Sequence, residues 1–110
     1  MALTDEEART LLEERRAALE AEEAESRDAR APVTLQQDSV GRLSRMDALQ
    51  VQAMAQAQSR RRQQALTAIR AALERVEDGE YGYCLTCGEE IAEKRLRNDP
   101  AVARCVGCVR

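Results

Sequence analysis

Cys84-Leu85-Thr86-Cys87 and Cys105-Val106-Gly107-Cys108 hold all four cysteines of this 110-residue chain, as two C-x2-C pairs with seventeen residues between them. Two residues between thiolates let one tight turn aim both sulfurs at a single ion while its amide groups face them. A second such pair 15–20 residues on is a zinc spacing. Four thiolates close a tetrahedron and leave no open position for water, so Cys84, Cys87, Cys105 and Cys108 predict one structural Zn2+. The binding free energy of such an ion is largely folding free energy. Gly88 and Gly107 ease the two turns, and Lys94, Arg95, Arg97 and Arg104 are placed to offset the net −2 of zinc with four thiolates.

Other uses of the thiols fit less well. Disulfides belong to oxidising compartments, and the opening MALTDEEAR has neither the basic nor the apolar region of a signal peptide. A redox C-x-x-C is expected in a βαβ context, which the pattern does not offer. A rubredoxin-like iron site expects an aromatic-rich core, whereas this chain has no Phe or Trp and only Tyr81 and Tyr83. With so few aromatics a large packed core is not expected, and the metal is the natural staple for the compact part.

Outward from the cysteines, Gly79 is placed to end a helix as its C′ residue. That helix is expected over 44–78, with Met46, Leu49 and Ala53 as one apolar patch and Leu66, Ile69, Leu73 and Val76 as another. Between them runs a polar stretch containing Arg60-Arg61-Arg62. An earlier helix is expected over 4–30. Thr4-Asp5-Glu6-Glu7 opens it as a capping box, and Pro32 follows its end. Residues 31–43 form the tip that reverses the chain, with Gly41 free to take a positive φ. The fold class is therefore mostly α, a long antiparallel two-helix coiled-coil hairpin over 1–78 followed by a small four-cysteine finger over 79–110. At 1.5 Å per residue the second helix is about 50 Å long, so part of the hairpin must protrude.

Charge divides along the same lines. Residues 1–31 carry ten acids and five arginines, residues 39–75 two acids and seven arginines, and the whole chain is −3. An acidic helix beside a basic one explains this without a nucleic-acid partner. No stretch reaches the length of a membrane span, and the absence of export signals predicts a cytoplasmic protein. The chain has no histidine, which removes His-based catalysis and His ligation alike.

The segment Gly79-Glu80-Tyr81-Gly82-Tyr83-Cys84-x-x-Cys87-Gly88-x-x-Ile91-x-x-x-Arg95-Leu96-x-x-x-Pro100-x-x-x-x-Cys105-x-x-Cys108 closely resembles the DksA/TraR family of four-cysteine zinc-finger proteins. The resemblance implies a transcription regulator whose hairpin enters the secondary channel of bacterial RNA polymerase, often acting with guanosine tetraphosphate. Counting back from Cys84, the family's acidic tip motif falls on residues 41–46, where both carboxylates are missing. Arg45 matches an arginine often found inside that motif, Asp47 is the nearby carboxylate, and Arg42 is the other charged residue within 41–46. By the same count Arg61 falls on a basic family position. The basic positions that contact guanosine tetraphosphate become Ala68, Asp99 and Val109, so a weak or absent response is expected. The family's terminal helix has no counterpart in the two residues after Cys108.

Two other functions compete with this one. A zinc module binding nucleic acid, or a protein other than polymerase, would use Arg60, Arg61 and Arg62, but the chain is net negative and lacks stacking platforms. A thiol oxidoreductase needs an exposed cysteine of low pKa, and zinc would occupy all four; the expectation is that the chain is no enzyme. Self-association is left open.

Overall fold

Thr4 opens the first helix by reciprocal capping. The Glu7 N–H donates to Thr4 Oγ1 at 3.1 Å, and the Thr4 N–H donates to Glu7 Oε1 at 3.2 Å. The chain here is a computed structural model that describes residues 3–27 and 42–108. Helix α1 spans Asp5–Glu25, with Asp5, Glu6 and Glu7 in its first turn where the helix dipole favours negative charge. Helix α2 spans Arg42–Glu77 and short α3 spans Glu93–Asn98. Among the described residues there is no strand, only an isolated antiparallel bridge between Tyr83 and Glu90. Most of the tip expected over 31–43, Gly41 included, lies outside the described residues.

Helix α2 ends in a Schellman motif. The Glu80 N–H reaches the Arg75 carbonyl (2.8 Å) and the Gly79 N–H the Val76 carbonyl (3.2 Å). Gly79 sits at C′ with φ +74°, a conformation that a Cβ would make costly. This turn swings the chain from the hairpin into the finger.

The core lies where the two helices meet the finger. Leu12 and Ala8 from α1, Ile69, Ala72 and Val76 from α2, and Tyr81, Cys84, Ile91 and Leu96 from the finger form one buried cluster, which Leu3 closes. From there the molecule runs out as a rod, with overall extents of 63 × 27 × 20 Å. No described helix is long and apolar enough to cross a membrane.

Along α2 the buried positions Ala55, Ser59, Leu66, Ile69 and Val76, with half-buried Gln52, Arg62 and Leu73, step by three and four. This is the heptad rhythm of a two-helix seam. The patch expected at Met46, Leu49 and Ala53 is off that frame. Extended toward the tip, that frame passes through half-buried Gln52, exposed Ala48 and half-buried Arg45, and Met46 and Leu49 beside it are 59% and 46% exposed.

Tyr81 ties the finger to itself. Its hydroxyl donates to the Pro100 carbonyl at 2.8 Å, and burial pushes its pKa up to about 12. A raised folded-state pKa means that stability is fully present below the ordinary tyrosine value, about 10, and is lost as pH climbs from there toward 12. Tyr81→Phe is expected to cost about 1 kcal/mol at neutral pH and to flatten the alkaline fall. Denaturant melts across that window check both effects.

Candidate functional site

Each C-x2-C pair turns on its own backbone. In the first, the Gly88 N–H bonds the Cys84 carbonyl (2.9 Å), the Cys84 N–H bonds the Glu89 carbonyl (2.8 Å), and the Cys87 N–H points at Cys84 Sγ (3.5 Å). Gly88 completes that turn at φ +78°. In the second, the Cys108 N–H returns to the Cys105 carbonyl at 3.0 Å. A single bond, Leu85 N–H to the Ala103 carbonyl at 2.8 Å, lays one turn against the other, and Arg95 Nε holds α3 to the second turn through the Arg104 carbonyl at 3.1 Å.

These turns bring Cys84, Cys87, Cys105 and Cys108 together, with all four sulfurs within 4.8 Å of one another. Zinc–sulfur bonds of about 2.3 Å in a tetrahedron require sulfurs about 3.8 Å apart. Cys87 Sγ and Cys105 Sγ lie 3.7 Å apart. The electrostatics point to a cation as well. Backbone groups of Cys105 and Cys87 lower the pKa of Cys84 to about 5, while the sulfurs of Cys105, Cys84 and Cys87 push Cys108 up to about 12. Four thiolates cannot share this volume unless a positive ion neutralises them. Donor number, donor type and spacing fit one structural zinc ion, with no coordination position left over for chemistry.

Of the cations near the cluster in sequence, Arg97 is drawn to carboxylates, Glu93 at 2.8 Å and Glu7 at 3.3 Å. The second of these pins the finger to the first turn of α1. Lys94 and Arg104 are exposed.

The other predicted residues sit far from the metal. Thirty residues of helix, about 45 Å, separate Asp47 from Glu77. Arg45 is half-buried on the seam, Asp47 is exposed, and the Arg42 side chain lies outside the description. Arg61 is exposed on α2. Its neighbour Arg62 turns inward, donating from Nε to Glu23 Oε1 at 2.9 Å and from a terminal nitrogen to Ser26 Oγ at 2.7 Å. The triplet Arg60-Arg61-Arg62 is therefore not a continuous phosphate-binding face. Sequence reasoning missed this inward arginine; its signal is that Arg62 is in step with Leu66, Ile69 and Val76.

At the base of the hairpin a groove of about 510 Å3 opens between the helices and the finger. Its walls are Ala18, Leu19, Ala65, Ala68, Ile69 and Ala101, and its charged groups are Arg15, Glu22 and Asp99.

Comparison with known proteins converges on one group. Residues 79–109 match the prokaryotic dksA/traR C4-type zinc finger. Over 48 residues, 44% of this chain, the sequence is 38% identical to the RNA polymerase-binding transcription factor DksA of Escherichia coli and 35% identical to that of Haemophilus influenzae. The matched stretch spans about a third of those relatives, 32% and 33% of their lengths. The structure of transcription factor DksA2 from Pseudomonas aeruginosa superposes with a TM-score of 0.76 at 27% identity, covering 94% of this chain and 78% of that one. The family match thus lies in the finger, and the structural likeness, over 94% of this chain, takes in the hairpin.

Proposed function

Since the chain belongs to the DksA/TraR family of four-cysteine zinc-finger proteins, we propose that it is a cytoplasmic transcription regulator, not an enzyme, that binds bacterial RNA polymerase through its hairpin. The observation that carries the reading is architectural. A 36-residue helix leaves a metal-stapled base and extends well past the buried core, giving a rod that can reach into a channel from a docked finger. The finer reading is that the hairpin enters the polymerase secondary channel, with Arg42, Arg45 and Asp47 at its working end and Arg61 on its flank. Zinc only shapes the base.

This tip must act without the family's paired carboxylates. Arg45 sits on the seam and Asp47 is exposed one turn into α2, so contact would be made by a mixed-charge, partly apolar end. The groove at the hairpin base supports a weak or absent response to guanosine tetraphosphate. Ala68 and Asp99 stand there where basic groups are expected, and its two acids outnumber its single arginine. Phosphate recognition needs charge-assisted donors.

Binding of labelled, zinc-loaded protein to purified core RNA polymerase tests the proposal, alongside a variant with residues 38–47 replaced by a short Gly/Ser turn. Saturable binding that weakens at least tenfold in the variant is expected. No binding by either form would sink the reading and point to a different partner. A micromolar guanosine tetraphosphate site on the complex would overturn the nucleotide claim alone.

A further inference from the structure

About midway along the rod, where large buried side chains give out, lies a polar cluster that crosses the seam. Glu23 on α1 receives Ser59 Oγ at 2.6 Å, Arg62 Nε at 2.9 Å and Gln63 Nε2 at 2.8 Å from α2, and Arg62 also donates to Ser26 Oγ at 2.7 Å. The Glu23 and Arg62 side chains are only 17% and 13% exposed. We propose that this cluster is a clasp: it fixes the alignment of the distal half of α1 on α2, and so the direction in which the end of α2 projects. The inference does not depend on which partner the hairpin engages.

The reason is the composition of the seam on either side. Toward the finger, Leu12, Leu19, Leu66, Ile69 and Val76 specify one packing by shape and area. Toward the tip no large apolar side chain is buried: the partly covered residues past Leu19 are the polar Glu23 and Ser26, and the buried α2 positions facing them are the small Ala55 and Ser59. Such small side chains bury little area and pack almost equally well in shifted alignments. Polar groups discriminate where alanines cannot. Displaced by one heptad, about 10 Å, Glu23 would face Ile69 or Ala55 instead of Arg62 and carry a partly buried charge without its partners. A polar seam position that selects one register is the best-attested use of such groups in helical pairs. The Glu7–Arg97 contact fastens α1 at the other end, sixteen residues or about 24 Å away.

Residue-resolved amide hydrogen exchange on the zinc-loaded chain tests this in Glu23→Ala. Amides of residues 19–25 are expected to exchange about tenfold faster or more, while those of residues 8–12 and of the finger stay as in the parent. Glu23→Gln, which keeps the side chain's size and one acceptor, should move the same amides less and serves if the alanine variant folds poorly. Unchanged exchange at 19–25 in Glu23→Ala would overturn the clasp. So would equal acceleration at both ends of α1, because the cluster would then be an ordinary stabilising contact. As a second readout, ketoxime-linked nitroxides at Glu25 and Gln64 leave the cysteines to the metal. They should report one narrow distance in the parent and a broadened one in Glu23→Ala; a narrow, unmoved distance in the variant counts against the proposal.

Discussion

Removing zinc by chelation, or replacing Cys84 with serine, is expected to collapse the finger and loosen the base of the hairpin with it. Apparent zinc binding in small finger domains is about 10–16 kcal/mol, as large as the whole stability of a typical domain, about 5–15 kcal/mol. Cys84 is 3% exposed and shares its cluster with Leu12, Ile69 and Val76 from the helices and Ile91 and Leu96 from the finger. The metal therefore holds one wall of the only buried cluster that joins hairpin and finger among the described residues. Without it only backbone bonds such as Gly88 N–H to the Cys84 carbonyl hold the crowded sulfurs together, and Leu12 and Ile69 lose the surface they pack against. Tyr81 and Tyr83 are the only aromatic chromophores and both belong to the finger, so near-ultraviolet dichroism reports the finger alone while far-ultraviolet dichroism reports the helices. Loss of the tyrosine signal on chelation, with a smaller, less cooperative helical melt, is the expected result. An unchanged melt after verified metal removal would show that apolar packing alone carries the base.

How much of this is legible from the sequence depends on what kind of constraint each residue expresses. The finger is legible because the spacing of Cys84, Cys87, Cys105 and Cys108 is itself a geometry. The start of α1 and the end of α2 are legible because Thr4, Glu7 and Gly79 each satisfy a local backbone requirement that few other residues meet. The distal hairpin is harder. Met46, Leu49 and Ala53 recur at helical spacing, yet they stand one position off the frame set by Leu66, Ile69 and Val76, and burial follows the frame and not the hydropathy. For the same reason Ser59, Arg62 and Glu23 read as a solvated face when judged by polarity. Judged by phase they belong to the seam, since Glu23 continues the series Leu12, Leu19. The charge asymmetry of the halves is real, but Glu13, Glu14 and Glu20 remain exposed on α1. Much of the helix-to-helix attraction then acts as a diffuse, salt-screened field, and the pair joining Glu23 to Arg62 carries the geometric information.

Placement of the seam leads to the second large effect. Leu12 is fully buried on α1 and meets the core that Ile69, Val76 and Leu96 complete, so Leu12→Ala is expected to destabilise the zinc-loaded protein by about 2–5 kcal/mol. Leu49→Ala removes a side chain of the same size that is 46% exposed, and it should stay within about 0.5 kcal/mol of the parent. Denaturant unfolding of both variants at saturating zinc measures the contrast directly. Equal costs would mean that the distal seam runs through Leu49 after all. The same pair separates structure from partner binding. Because the zinc site and Leu12 share one cluster, Leu12→Ala should also weaken zinc retention against a competing chelator, through the linkage of metal binding to folding. Leu49→Ala should leave zinc retention untouched. If Leu49→Ala nonetheless impairs binding to polymerase while its fold and zinc are intact, the exposed aliphatic face beside Asp47 belongs to the working end of the hairpin. That end would then engage its partner through apolar contact where the paired carboxylates are missing.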